Sequence, residues 1–107
     1  MSKVIEISDS QFDNEVVKEN GTVLAYFWAS WCGPCRLVSP SVNWVAENYD
    51  DRLKVVKLEV DASPNSVAFC KVEGVPAFRV FKEGKIVASY EGAIGKDKLK
   101  DFVETNI

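Results

Sequence analysis

The stretch Tyr-Phe-Trp-Ala-Ser-Trp-Cys-Gly-Pro-Cys-Arg, residues 26–36, places Cys32 and Cys35 two residues apart at the end of a dense apolar run. That spacing suits thiol–disulfide exchange, half of a zinc site, or a structural staple. A closed tetrahedral zinc site takes four Cys or His ligands, and the chain has no His and only Cys70 besides the pair. A purely structural disulfide here closes too small a loop to stabilise much. Exchange chemistry fits best.

The two sulfurs are expected to divide the work. Cys32 falls where a strand ends and a helix begins, so unpaired N–H groups and the positive end of the helix dipole favour its thiolate. Arg36, one turn in, adds a positive charge. Cys35 lies inside the first turn, on the same side and shielded by the chain. Gly33-Pro34 lets the backbone turn tightly and presets φ at Pro34, holding the sulfurs close enough to join. Cys32, exposed and acidic, is the expected nucleophile. Cys35 is the resolving thiol that attacks the mixed disulfide and leaves an intramolecular one.

The elements that position this pair read from the apolar periodicity. Residues 4–7 form a short first strand. Ser8 and Gln11 make a capping box that opens a helix burying Phe12, Val16 and Val17, with Gly21 at its end. Residues 23–29 are continuously apolar, the pattern of a central strand buried on both faces. The following helix carries Val38, Val42, Val45 and Tyr49 on one face and contains Pro40, which is expected to kink it. Residues 53–60 form another strand, with Val56, Leu58 and Val60 on one side. Ser63-Pro64 supplies an N-cap and first-turn proline for a short helix to about residue 71. Residues 77–81 and 86–90 flank a hairpin turn containing Gly84, and residues 96–106 close the chain as a helix burying Leu99, Phe102 and Val103. The order β-α-β-α-β-α-β-β-α predicts an α/β fold with one mixed sheet of about five strands flanked by about four helices.

Bulk properties bound the rest. The chain has 107 residues, the size of a single domain spanning 1–107, and its 47% apolar content supports a core without disulfides. Net charge is −3, and the 13 Lys and Arg are scattered rather than striped, which argues against nucleic-acid binding. No signal-peptide h-region and no apolar run of spanning length is visible, so a cytoplasmic chain with no membrane contact is expected.

The segment Phe27-Trp-Ala-Ser-Trp-Cys-Gly-Pro-Cys-Arg36 resembles the active-site stretch of the thioredoxin family, and the resemblance runs over essentially the whole chain. Pro40 resembles the family's helix-kinking proline, and the Lys57-Leu-Glu-Val-Asp61 segment its third strand. Gly74-Val-Pro-Ala77 resembles the loop whose proline, here Pro76, is cis and packs against the disulfide; Gly84 and Gly92 also match. The resemblance implies a thioredoxin fold and protein-disulfide reduction. It implies a substrate groove of Trp31, Gly33, Pro34, Gly74, Val75, Pro76, Gly92 and Ala93, with Trp28 behind the disulfide and its indole N–H near Asp61. It also implies a monomer with no bound cofactor and no metal. Its partners would be disulfide-containing proteins and a thioredoxin reductase, either an NADPH-dependent flavoprotein or a ferredoxin-dependent one. A thiol pKa near 7 instead of about 8.5, the value of this family, raises the thiolate fraction at pH 7 roughly 16-fold. Nucleophilicity falls about 5-fold over the same range, so the net gain is only about 3-fold. Tethering of Cys35 beside its target must supply the rest.

The chain departs from the family at Tyr26, where most members carry a buried Asp that is thought to exchange protons with the second cysteine; some bacterial and cyanobacterial members resemble this chain there. A buried phenol stays protonated at neutral pH and is a weak base. Lys57 therefore lacks its family partner and is expected to turn to Glu59, water or the Tyr26 hydroxyl, with water near Lys57 accepting the Cys35 proton. Cys70 reads as a semi-buried, inert thiol, with an intermolecular disulfide or glutathione adduct as the alternative. Two other functions compete: an oxidase or isomerase of the same fold, disfavoured by Gly33-Pro34, and a binding module that uses the groove without turnover.

Overall fold

The computed structural model describes residues 3–107. Among the described residues five strands form one sheet: β1 (Ile5–Ile7), β2 (Thr22–Trp28), β3 (Lys54–Glu59), β4 (Ala77–Lys82) and β5 (Lys85–Glu91), in the order β1-β3-β2-β4-β5. β3 runs parallel to both β1 and β2, whereas β4 is antiparallel to β2 and β5. The sheet is covered by the α-helices α1 (Asp9–Phe12), α2 (Gly33–Asn48), α3 (Pro64–Cys70) and α4 (Lys96–Asn106). α1 continues as a π-helical stretch, Asp13–Val17, which ends before Gly21. A 3₁₀ turn, Val60–Ala62, follows β3.

The central place expected for residues 23–29 is borne out, because β2 pairs on both edges and is buried on both faces. Leu24 and Tyr26 point with Val55, Phe78 and Val80 towards Val38, Val42 and Val45 of α2 and Leu99 and Val103 of α4. Val23, Ala25 and Phe27 point the other way, with Val56, Leu58, Ala77 and Phe81, towards Phe12, Val16 and Cys70. The period-2 alternation of a strand thus feeds two cores at once. α2 holds Pro40 in its interior, as expected.

The β4–β5 hairpin closes through Glu83 and Gly84, both with positive φ (51° and 79°), the two-residue turn whose twist matches its strands. Gly84 is needed for a second reason: a Cβ there would lie 2.3 Å from the Val17 carbonyl oxygen. Ser63 is the N-cap of α3 and Pro64 opens the helix, as expected, but the Ser63 hydroxyl makes no capping bond. That hydroxyl is buried without a partner among the described residues, and Asp9 accepts instead from the Asn65 and Ser66 N–H groups (2.9 and 2.8 Å) and the Ser66 hydroxyl (2.7 Å). The first turn of α3 is therefore capped from α1. Ser8 does donate its N–H to Gln11 Oε1 at 3.2 Å, the reciprocal half of the capping box.

Candidate functional site

β2 ends at Trp28, and after a short turn Cys32 occupies the N-cap of α2 with extended backbone (φ −97°, ψ 107°). Pro34 sits in the first turn, where its missing N–H is no loss. Cys32 and Cys35 are joined as a disulfide, with their Cα atoms 5.4 Å apart. The Cys35 N–H donates to Cys32 Sγ at 3.2 Å. A backbone donor at the positive end of α2 thus already faces the sulfur that must carry negative charge. The Arg36 guanidinium donates to the Ser30 carbonyl at 3.2 Å, which anchors its charge beside the same turn.

Cys32 is not exposed as expected. It is 4% accessible, against 3% for Cys35. The cystine packs with Ala29 against Trp28, Val60 and Val75, so the loop before β4 closes over it. Reach towards a partner falls to its neighbours: Trp31 is 67% exposed, and Gly33 and Pro34 are exposed as well. The Val75–Pro76 peptide is cis, with Pro76 buried and Val75 half-buried against the cystine. The Gly92 N–H donates to the Pro76 carbonyl at 2.9 Å, which brings residues 92–93 beside residues 74–76. Gly74 and Ala93 are exposed and Gly92 is half-buried.

The expected contact between Trp28 and Asp61 is replaced. Asp61 Oδ2 accepts from the Trp31 indole at 3.1 Å, and the Trp28 indole N–H is buried without a partner among the described residues. Asp61 lies exposed on the 3₁₀ turn, on the side where Trp31 emerges, whereas Trp28 is still part of the sheet. Trp28 packs against the cluster of Ala29, Cys32 and Cys35.

Lys57 turns to none of the protein partners expected for it. Its ammonium lies 5.6 Å from the centroid of the Trp28 ring, a cation–π contact. The Tyr26 hydroxyl donates instead to the Cys35 carbonyl at 3.1 Å, and its ring stacks on Phe78. Burial pushes the Tyr26 phenol up to about 12, so it stays protonated and cannot serve as a base near neutral pH. Tyr26, Trp28, Ala29, Ser30, Cys35, Arg36, Ser39 and Lys57 line a cavity of about 150 Å³ behind Cys35. That space suits a few waters rather than an organic cofactor. No group of three or more His, Cys, Asp or Glu side chains is placed to hold a metal among the described residues.

The thioredoxin family model matches residues 3–105. The chain belongs to the thioredoxin family. It is 51% identical to a thioredoxin-like protein of Synechocystis over 104 residues, covering 97% of this chain and 95% of that one. It is 38% identical to the thioredoxin of Buchnera aphidicola, covering 100% and 99% of the two chains. It is 36% identical to the thioredoxin of Pseudomonas aeruginosa, covering 97% and 96%. Membership and the Cys32–Cys35 cystine make it a thiol–disulfide oxidoreductase with protein-disulfide reductase activity. In this family such a protein generally works between a thioredoxin reductase and disulfide-containing targets. No described helix is long and apolar enough to cross a membrane.

Beside the site, the inert reading of Cys70 holds, and the buried Arg79 went unread in the sequence. Cys70 is only 3% accessible, and burial pushes its thiol up to about 12 although the Arg79 charge nearby pulls the other way. Its helical position did point towards this inert state. Arg79 itself is buried in β4 and paired with Glu91 of β5. The signal was a lone arginine within Ala77-Phe-Arg-Val-Phe81, which must find an anion or carbonyls once that run is placed inside a sheet.

Proposed function

We propose that the chain is a cytoplasmic, monomeric dithiol that reduces disulfides in other proteins and is recharged by a reductase. The observation that carries this reading is the Cys35 N–H directed at Cys32 Sγ at the N-terminus of α2. Once the pair is reduced, the same donor and helix terminus stabilise a Cys32 thiolate. That thiolate attacks one sulfur of the target disulfide, forming a mixed disulfide and releasing the other target sulfur as a thiol after it takes a proton. Cys35 then loses its proton and attacks Cys32 Sγ, which breaks the mixed disulfide and releases the second target thiol. Two electrons pass from the dithiol to the target, and the reductase returns two electrons with two protons.

Tyr26 gives the Cys35 proton no base to go to, so the acceptor in this reading is water in the cavity beside Lys57. The target backbone is held along Gly74, Val75 and Pro76, flanked by Trp31, Gly33, Pro34, Gly92 and Ala93. The extended residue before a proline offers its free N–H and C=O to an incoming strand, as in strand addition. Asp61 orients the Trp31 indole, and Pro40, within α2, shapes the helix behind the pair.

An equilibrium redox titration read by tryptophan fluorescence, paired with reduction of insulin, tests the proposal. A midpoint near about −270 mV with catalytic insulin reduction is the expected result. A midpoint of about −180 to −120 mV would make the chain an oxidant or isomerase. Undiminished function of Cys35→Ser in place of a trapped mixed disulfide on Cys32 would make it a binding module.

A further inference from the structure

Arg79 is the one charged residue that is buried among the described residues, at 4% accessibility, and it lies on the sheet face that packs against α1 and α3. A guanidinium in such a place persists only if its donors are matched. Nε donates to the Cys70 carbonyl (3.0 Å), Nη1 to the Phe78 carbonyl (3.0 Å), and Nη2 to the Lys71 carbonyl (3.2 Å) and Glu91 Oε2. Glu91 then reaches back over the same loop. Its Oε1 accepts the Gly74 N–H at 3.1 Å and its Oε2 the Glu73 N–H at 3.3 Å.

The pair therefore grips the α3–β4 loop from both chemical sides, Arg79 through carbonyls 70 and 71 and Glu91 through N–H groups 73 and 74. The geometry follows from the register. Ala77 lies opposite Glu91, so Arg79 is its diagonal neighbour on the same face. The gripped loop leads into Val75 and Pro76, and Val75 packs on the cystine. Glu91 also precedes Gly92, whose N–H holds the Pro76 carbonyl. Both walls of the proposed groove thus hang on one carboxylate, which a plain cross-strand ion pair would not require.

We infer that Arg79 and Glu91 are positioning residues for protein-disulfide reduction: together they set where the Gly74-Val75-Pro76 backbone stands against the cystine. The pair governs capture of the extended polypeptide around a target disulfide and leaves the exchange at sulfur to Cys32 and Cys35. This inference rests on the groove reading above.

The experiment compares second-order rates of the reduced protein with insulin, whose backbone must dock, and with 5,5′-dithiobis(2-nitrobenzoate), which only has to reach Cys32. Glu91→Ala is expected to lower the insulin-to-small-disulfide rate ratio about tenfold, the weight of one hydrogen bond to a charged group. Glu91→Gln, which keeps the volume and one acceptor oxygen, should lower it about threefold, as roughly half that bonding energy remains. Amide exchange at Glu73 and Gly74 should quicken in the Ala variant. A ratio within about twofold of wild type in both variants, less than a single hydrogen bond supplies, overturns the inference. So does an equal fall in both rates, which would assign the pair a purely structural role. Trp31→Ala separates the two readings. If it lowers the ratio and the Glu91 variants do not, only this inference fails; if none of the three lowers it, the groove reading fails.

Discussion

Replacing Tyr26 with the aspartate usual in the family should destabilise the oxidised protein, and the size of the loss can be built from the structure. Tyr26 is 3% exposed, its ring stacks on Phe78 with centroids 5.3 Å apart, and its hydroxyl bonds the Cys35 carbonyl. Removing a buried aromatic ring costs about 3–5 kcal/mol, and the low end applies because the neighbouring cavity lets water fill the gap. The new carboxylate would be buried beside Phe78, with the Lys57 ammonium of the same cavity held over Trp28. Desolvation should raise its pKa; a rise of about two units is worth about 2.7 kcal/mol at pH 7. The Tyr26→Asp variant should then be about 6 kcal/mol less stable at pH 7, a large share of the roughly 5–15 kcal/mol typical of a domain. A raised folded pKa means the ionic cost is absent below the unfolded pKa and grows as pH rises through the folded one. The ionic part should therefore shrink to about 0.5 kcal/mol near pH 4, leaving the ring loss. Urea unfolding of Tyr26→Asp and wild type at the two pH values reads both numbers. Equal or greater stability of the variant at pH 7, or a deficit that does not change with pH, would refute the reasoning. Tyr26→Phe isolates the hydroxyl and should cost about 1 kcal/mol.

Other expectations follow from single contacts. Burial opposes the charge on Asp9, but the bonds from the Ser66 hydroxyl and the Asn65 and Ser66 N–H groups outweigh it and hold the pKa below the ordinary carboxylate value. Asp9→Ala should lose about 1 kcal/mol near neutral pH, the worth of a helix cap. Because the folded pKa is depressed, wild type keeps that contribution above the unfolded pKa and loses it as pH falls from about 4 through the folded value. The two urea midpoints should converge in acid, and a constant gap would show that the cap is not ionic. Cys70, raised to about 12, should be alkylated by iodoacetamide in the native protein more than about 10³-fold slower than a free thiol at pH 8. Fast labelling by mass spectrometry would restore the alternative of a reactive third thiol.

Much of this fold is legible in the chain because its signals are local. The apolar run of residues 23–29 reads as a doubly buried strand, and Gly84 as part of a hairpin turn. The Cys32–Cys35 pair at a strand-to-helix junction, with Pro34 between, already implied a disulfide at a helix N-terminus. Ser63 is the N-cap of α3 as its position implies, but the capping bonds come from elsewhere for the converse reason. Ser63 satisfies every local rule, yet Asp9, 57 residues from Ser66 along the chain, is brought closer to the free N–H groups.

The sequence by itself determined the alternation of strands and helices, the central strand and the redox pair. Each of these rests on residue type and spacing over a few positions. Only the tertiary structure decided which of two tryptophans three residues apart bonds Asp61, that Lys57 lies over Trp28, and that Cys32 is covered. It also decided that Arg79 and Glu91 hold the loop before Pro76 from β4 and β5. The physical reason is the same in each case. These hydrogen bonds and cation contacts are short-ranged, so they are settled by which side chains the packed elements bring within about 3 Å, or about 6 Å for a cation over a ring, and sequence separation carries no record of that.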